Sequence, residues 1–169
     1  MSGGYSDEVL EHFTNPRNAG VVEGYNGKTL IGDPSCGDFL EVTIRVDPGV
    51  NRLEEVKFRC KGCPAAIATS SVMTELVNGK ELSEILCMTE NDILEVLGGL
   101  PEHKLHCSVL GIQGIRDAIA DFVVYNNLVQ RGTLSDRQQY EMFLGNRRIT
   151  MAPHVCDGTC ETGVEGRGV

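Results

Sequence analysis

The chain alternates apolar and polar residues over Phe39–Val46, FLEVTIRV, and again over Leu53–Cys60, LEEVKFRC. Successive side chains of a β-strand point to opposite faces, so each stretch predicts a strand with one apolar face. The residues between them, Asp47–Gly49, read DPG and are typical of a tight turn. The two strands are therefore predicted to form an antiparallel hairpin with one face against a core and the other in water.

The segments on either side of this hairpin carry helical patterns. A first helix is predicted over residues 5–14 with Ser6 as its N-cap, a second over 65–77, and a long third over about 104–130. Shorter helices are predicted over 81–87, 89–97 and 135–144, and Gly20–Ile31 is predicted to be a strand or an extended loop. This order predicts an α+β fold, in which a small antiparallel sheet of about three strands packs against several α-helices.

The last part of the chain differs in composition from the rest. Residues 1–145 carry the apolar patterns and are predicted to form one domain. Residues 146–169 contain several glycines, little that can be buried, and both Cys156 and Cys160. We therefore predict a flexible cysteine-containing tail, whose two cysteines could be a second metal site or a surface redox pair.

Charge and hydropathy exclude several classes of function. The formal net charge of −9, from 15 basic and 24 acidic residues, does not favour a nucleic-acid partner, since phosphate binding needs a concentrated basic face. No apolar run reaches the length of a membrane span, and the first residues do not read as a signal peptide. The expected location is the cytoplasm, where an odd set of seven cysteines favours metal or sulfur chemistry over disulfides.

Cys60 and Cys63 form a CxxC pair whose two members differ in setting. Cys60 shares the parity of Val56 and Phe58, so we expect it to point into the core as a small buried residue. Cys63 precedes Pro64, which suits the first position of a helix, so Cys63 is the expected N-cap. A thiol at a helix N-terminus should have a lowered pKa, which makes Cys63 a candidate ligand or sulfur acceptor.

Two further segments place cysteines beside polar residues. Cys36 and Asp38 lie two residues apart in a turn-rich loop, where they could form a mixed thiolate and carboxylate site or have no joint role. Cys107 lies near the start of the long helix, and the helix dipole predicts a lowered pKa for it too. His106 could be a ligand or a donor behind one, and Lys104 could steady a thiolate. Cys87 is expected to be a core or incidental residue.

Four stretches of this sequence resemble the IscU family of iron–sulfur cluster scaffolds, which includes the amino-terminal domain of NifU. The resemblance covers roughly residues 5–130, and the three cysteine motifs occur in the family's order. It implies an IscU/SufE-like fold, a small antiparallel sheet against helices. The stretches are His12–Asn18 (HFTNPRN), Gly32–Asp38 (GDPSCGD), Gly62–Ser71 (GCPAAIATSS) and Leu100–Ser108 (LPEHKLHCS).

The resemblance also implies which residues carry the function. Cys36, Cys63 and Cys107 would be cluster ligands, and Asp38 and His106 would be alternative fourth ligands or aids to cluster release. Lys104 would belong to the same site, and Cys107 would accept sulfur as a persulfide. Such a chain is a scaffold rather than an enzyme, and it carries a [2Fe-2S] cluster, or a [4Fe-4S] cluster in a dimer.

The implied partners are a cysteine desulfurase, an electron donor such as a ferredoxin, and recipient apo-proteins, with a homodimer also possible. The family's Leu-Pro-Pro-Val-Lys stretch, a docking site for an Hsp70-type chaperone in many members, has Glu102 and His103 here. This departure leaves chaperone docking open.

Three other interpretations stay open at this point. The same residues could hold Zn²⁺ in a persulfide-accepting sulfurtransferase partner that assembles no cluster. Cys107 and His106 could be the nucleophile and base of a cysteine hydrolase, although adjacent residues on a helix are poorly aimed for that proton transfer. A purely structural zinc module would unfold when its metal is removed.

Overall fold

In the part of the chain that the structure describes, the sheet is antiparallel and its strands lie side by side in chain order. The computed structural model describes residues 4–33 and 38–144, with the side chains of residues 33 and 38 excepted. Within them the strands are β1 (Gly27–Asp33), β2 (Asp38–Asp47) and β3 (Arg52–Lys61). The predicted tail over 146–169, with Cys156 and Cys160, lies outside the described residues, so its separation from the domain stays a prediction.

The predicted hairpin is formed by β2 and β3. Val42 lies opposite Phe58 and Ile44 opposite Val56, so the apolar positions of the two strands share one face. A register shift between Arg45 and Val46 marks an irregularity near the turn. The third strand, predicted within Gly20–Ile31, is β1, and it pairs with the other edge of β2.

The helices lie where their sequence patterns predict them. Ser6 caps the first helix, since its Oγ accepts a hydrogen bond from the Val9 backbone N–H at 3.2 Å. The α-helices of the described residues are α1 (Asp7–Thr14), α2 (Pro64–Val77), α3 (Leu82–Cys87), α4 (Glu90–Val96), α5 (His106–Gln130) and α6 (Arg137–Leu144).

The start of the long helix differs from the prediction. Residues Glu102–Lys104 form a separate 3₁₀ turn, closed by a 2.7 Å hydrogen bond from the Lys104 N–H to the Pro101 carbonyl, and α5 begins at His106. The turn directs Lys104 inward, where it is 1% exposed. The long helix therefore begins two residues later than the predicted start near Lys104, because Pro101 leads into a tighter turn first.

Helices α2 and α5 pack on the apolar face of the sheet. The approach of α5 is close enough to require glycine at one contact and to leave little room for a side chain at a second. A Cβ on Gly27 would lie 2.5 Å from the Ala118 carbonyl oxygen, and one on Gly114 would lie 3.2 Å from the Leu40 and Val42 side chains. The core between sheet and helices is built on Leu40, Val42, Ile44, Val56, Phe58, Val72, Met73, Ile112, Ile115 and Ile119.

The opposite face of the hairpin is less exposed to solvent than the alternation of apolar and polar residues predicts. Thr43 is 1% exposed, and its Oγ1 accepts a 2.9 Å hydrogen bond from the Val22 N–H. Glu41 is 5% exposed and forms ion pairs with Lys28 and Arg59. Thr43 is thus contacted by the chain before β1 and Glu41 by the neighbouring strands, and strand parity alone predicts neither contact.

The turn after α1 is tied to α2 through a buried hydroxyl. Ser71 Oγ lies 2.9 Å from His12 Nδ1 and accepts a 2.8 Å hydrogen bond from the Arg17 N–H. Asn18 has φ +56° and donates to Thr74 Oγ1 at 3.0 Å. These contacts join the HFTNPRN stretch to Ser71 and Thr74 of α2.

Helix α6 is held to α5 by a buried carboxylate. Asp121 is 5% exposed, pairs with Arg137 at 2.7 Å, and accepts hydrogen bonds from the Tyr140 hydroxyl at 3.0 Å and the Lys28 N–H at 2.8 Å. The same residue therefore joins α6, α5 and the edge strand β1.

Replacing Tyr140 with phenylalanine is expected to destabilise the fold by about 1.5 kcal/mol, because Asp121 loses a charge-assisted hydrogen bond in a buried setting. Chemical denaturation measures the difference. Tyr25→Phe is the control, since its hydroxyl donates to Glu141 at an exposed site, and it should cost less than about 0.5 kcal/mol. Equal losses in the two variants would contradict a special role for Asp121.

The architecture confirms the predicted α+β class, with one small antiparallel sheet against several helices. Within residues 4–33 and 38–144, we find no helix with both the length and the apolarity needed to cross a bilayer.

Candidate functional site

Cys63 occupies the junction between β3 and α2. It is the N-cap of α2 with extended backbone angles, and Pro64 is the first helical residue, as the sequence predicts. The backbone N–H groups of Ala65 and Ala66 act on its sulfur and favour the thiolate. Strand, cap and helix therefore place one thiol at the positive end of a helix.

Cys107 meets Cys63 from the start of α5. Their Sγ atoms lie 3.8 Å apart, and His106 Nε2 lies 3.5 Å from the Cys107 Sγ. Thr69 of α2 donates to the Cys107 carbonyl at 3.1 Å, which fixes the two helix starts relative to one another. Residues far apart in sequence are thus brought together as the resemblance implies.

The pKa values of the two thiols shift in opposite directions. A hydrogen bond from Cys107 lowers the pKa of Cys63 to about 6, helped by the Ala66 N–H and by the charge of Lys104 against the effect of burial. The pKa of Cys107 is raised, first because it donates that bond and then because it is 3% exposed. The lowered pKa predicted for Cys63 agrees with this geometry, whereas the one predicted for Cys107 was wrong because its partner thiolate outweighs the helix dipole.

Lys104 supplies the positive charge of the site. It is 1% exposed, and its charge lowers the pKa of both Cys63 and Cys107. Since an ammonium group is buried at considerable cost, its position beside two thiols indicates a role in holding negative charge.

A small apolar cluster lies under the thiols. Ala65, Ala66 and Cys107 form it, and Tyr5, Cys60, Cys63 and Leu100 pack against it. The pKa of Tyr5 is raised to about 12 by burial and by the charges of Cys63 and Cys107. Sequence reasoning did not place Tyr5 at the site, and its position before α1 offered no signal for doing so.

Cys60 and Cys87 have different surroundings. Cys60 is half-buried on β3 and packs against both the main core and the small cluster, in keeping with its predicted orientation. Cys87 ends α3 and is exposed, so it is not a core residue.

The remaining predicted ligands, Cys36 and Asp38, lie in or next to the stretch between residues 33 and 38. Cys36 lies outside the described residues, and Asp38 is described by its backbone, at the start of β2. The register places Leu40 opposite Cys60, so Asp38 begins β2 at the end of the sheet where β3 leads into Cys63. Among the described side chains, no three of the types His, Cys, Asp and Glu converge in a geometry for holding a metal ion.

Comparison with known proteins identifies the family. The model of the NifU-like N terminal domain family matches residues 4–128. The chain belongs to this family. The match includes Cys36, Cys63, Lys104 and Cys107, and it ends within α5, so that α6 of this NifU-like domain lies beyond it.

Two relatives have closely similar sequences. An iron-sulfur cluster assembly scaffold protein IscU from Aquifex aeolicus strain VF5 is 44% identical over 133 residues, which are 79% of this NifU-like chain and 85% of the relative. The iron-sulfur cluster assembly scaffold protein IscU of Escherichia coli strain K12 is 42% identical over 122 residues, 70% of this chain and 93% of the relative. The predicted membership in the IscU and NifU family is confirmed.

A solved structure supports the fold. The crystal structure of a nitrogen-fixing NifU-like protein, amino-terminal part, from Brucella abortus aligns with a TM-score of 0.53 at 19% identity. The alignment covers 69% of this NifU-like chain and 92% of that one. At this identity the likeness concerns the fold alone.

Proposed function

We propose that this chain is a scaffold on which an iron–sulfur cluster is assembled and from which it passes to recipient apo-proteins. The observation that carries the proposal is the Cys63 and Cys107 pair, 3.8 Å apart beside the buried Lys104, in a chain whose relatives are named as IscU scaffold proteins. Iron–sulfur clusters are held by thiolates, and this pair supplies two of them.

The ligand set suits a cluster that must be released. We assign Cys36, Cys63 and Cys107 as thiolate ligands, with Asp38 or His106 in the fourth position. His106 Nε2 is already 3.5 Å from the Cys107 sulfur. A carboxylate oxygen or an imidazole binds iron less firmly than a fourth thiolate, so the cargo stays exchangeable.

Sulfur would arrive at Cys107 as a persulfide from a cysteine desulfurase. Attack on the incoming sulfur needs the Cys107 thiolate, and His106 is the adjacent group that can take the proton. Lys104 stabilises the negative charge that results. The chain acts as a scaffold and persulfide acceptor rather than an enzyme.

The cluster type, the electron donor and the location in this proposal follow from the resemblance to the IscU family. The first product is a [2Fe-2S] cluster, with a [4Fe-4S] cluster in a homodimer, and Zn²⁺ can occupy the same residues in the cluster-free form. Electrons come from a donor such as a ferredoxin, and the proposed location is the cytoplasm. Chaperone docking at the altered stretch with Glu102 and His103 is left out of the proposal.

The test is the content of iron and acid-labile sulfide in protein purified without oxygen, before and after incubation with ferrous iron, cysteine and a desulfurase. We expect near-equal amounts of iron and sulfide in the parent chain. The double variant Cys63→Ala, Cys107→Ala should contain neither. Zinc alone, with no iron or sulfide gained on incubation, would replace the scaffold with a zinc-bound persulfide acceptor.

Asp38→Ala is expected to give a longer-lived cluster, because the weak oxygen ligand that favours release is lost. The decay of the cluster's visible absorption after addition of a chelator measures the lifetime. Asp33→Ala is the matched control, since Asp33 lies opposite Asp38 in the sheet and is not a proposed ligand. A cluster lost as fast from Asp38→Ala as from the parent contradicts the weak-ligand argument.

A further inference from the structure

Cys60 is a thiol near the site to which the family's ligand set gives no role. It belongs to β3, where its parity with Val56 and Phe58 turns it toward the helices rather than toward solvent. It packs against the small cluster of Ala65, Ala66 and Cys107 as well as against the main core. Cys60 therefore borders the site from its inner side.

Cys107 has two other thiols in its surroundings. Its Sγ is 3.8 Å from the Cys63 Sγ, and Cys60 packs against the apolar cluster to which Cys107 belongs. The charge of Cys60 contributes to the raised pKa of Cys107, which agrees with a short separation of the two sulfurs. Cys107 is 3% exposed and Cys60 is half-buried, so reagents in solution have limited access to the pair.

Assembly of a cluster sets a chemical requirement that a persulfide alone does not meet. The outer sulfur of a persulfide must gain two electrons before it becomes the sulfide that a cluster contains. A second thiol next to the persulfide can supply them by thiol–disulfide exchange. If the second thiol were also a ligand, the cluster would lose that ligand in addition to Cys107.

We propose that Cys60 is the resolving thiol of this scaffold and releases sulfide from a persulfide on Cys107. The proposal rests on the proposed function, because it takes Cys107 as the sulfur acceptor. It gives Cys60 a reaction of its own at the site, separate from ligation.

The step is balanced in atoms and electrons. The Cys60 thiolate attacks the Cys107 Sγ, a sulfur–sulfur bond forms between the two side chains, and the bond from Cys107 to the outer sulfur breaks. The outer sulfur leaves with the bonding pair as hydrosulfide, so it is reduced while the two cysteines are oxidised to a disulfide. In this step Cys60 and Cys107 supply the two electrons in place of the ferredoxin-type donor of the proposed function. A dithiol reductant of the thioredoxin class then reduces the disulfide and returns both thiols.

The competing resolving thiol is Cys63, which is close to Cys107 and carries the thiolate. Cys63 is engaged by iron during assembly, and a disulfide with Cys107 would remove two ligands at once. Cys60 can be oxidised while Cys63 keeps its metal, so we expect Cys60 to be the thiol that reacts in the iron-loaded chain.

The experiment loads the reduced chain with ferrous iron, then with persulfide from a desulfurase and cysteine, and removes small molecules without oxygen. Released sulfide is measured with a fluorogenic trap, and disulfide-linked peptides are mapped by mass spectrometry. The parent should release sulfide and join the peptides of Cys60 and Cys107. Cys60→Ser should retain the persulfide and release sulfide about tenfold more slowly, since an intramolecular partner is lost.

Cys87→Ser is the matched control, because Cys87 is an exposed thiol at the end of α3, and it should behave as the parent does. Cys60→Ala and Cys60→Ser should melt close to the parent, which separates a chemical effect from unfolding. Parent-like sulfide release from Cys60→Ser, or a Cys63–Cys107 link in the iron-loaded parent, overturns the proposal.

A second loading route separates this proposal from the proposed function. In a chain whose other five cysteines are serine, Cys60 and Cys107 are the thiols that remain. When Cys107 is held as a mixed disulfide with a small thiol, hydrosulfide attacks the Cys107 sulfur, the small thiol leaves, and the Cys107 persulfide forms without a desulfurase. A Cys60–Cys107 disulfide with sulfide release here, but no sulfur accepted from the desulfurase, would reject Cys107 as the natural acceptor and keep the Cys60 chemistry. No disulfide here would reject Cys60 as the resolving thiol.

Discussion

Replacing Cys107 with serine is expected to abolish both sulfur acceptance and cluster binding. The serine oxygen cannot form a persulfide, and as a hard, weakly acidic ligand it does not replace a thiolate on iron. Cys107 is the centre of the site, with Cys63 at 3.8 Å on one side and His106 at 3.5 Å on the other. Its loss should therefore affect every step that uses sulfur.

Two measurements on the same variant check this expectation. Mass spectrometry after incubation with a desulfurase and cysteine should show the added sulfur atom at Cys107 of the parent and none on the Cys107→Ser chain. Iron and acid-labile sulfide after reconstitution should fall by about tenfold or more. Cys87→Ser, which removes an exposed thiol, should match the parent in both. A sulfur atom that still appears on Cys107→Ser rejects Cys107 as the sole acceptor.

The sequence predicts those elements in which the spacing of apolar residues matches one buried face of a strand or helix. The alternation in Phe39–Val46 and Leu53–Cys60 predicted β2 and β3, because both strands bury one face against helices. Ser6 and the pair Cys63–Pro64 marked helix starts through local hydrogen bonding and fixed backbone angles, which depend on a few neighbouring residues.

The features that could not be predicted from the sequence depend on contacts between residues that are distant in the chain. Thr43 is bonded by the chain segment before β1, which has no periodic pattern, and Glu41 forms ion pairs with Lys28 and Arg59 of the two neighbouring strands. The raised pKa of Cys107 depends on a thiol 44 residues away in the chain. Cys60 shows both cases, since its parity predicted an inward orientation while its approach to Cys107 required the packing of α5 on the sheet.

Replacing Lys104 with methionine is expected to raise the pKa of Cys63, because a buried positive charge that favours the thiolate is removed. In the parent, the alkylation rate of Cys63 should rise with pH through a midpoint of about 6. In Lys104→Met the midpoint should move upward by about one pH unit. Less Cys63 thiolate is then present at a given pH near the midpoint, so metal loading should need a higher pH.

The stability of the same variant distinguishes a charge held for function from one held for folding. An ammonium group at 1% exposure is desolvated at a cost that methionine, of similar length, does not incur. We therefore expect Lys104→Met to melt at or above the temperature of the parent while its thiol is less reactive. Lys61→Met is the control, because Lys61 is exposed and water screens its charge, so its Cys63 midpoint should stay near that of the parent. If Lys104→Met melts well below the parent and the midpoint of Cys63 alkylation is unchanged, Lys104 stabilises the fold and does not affect the pKa of Cys63.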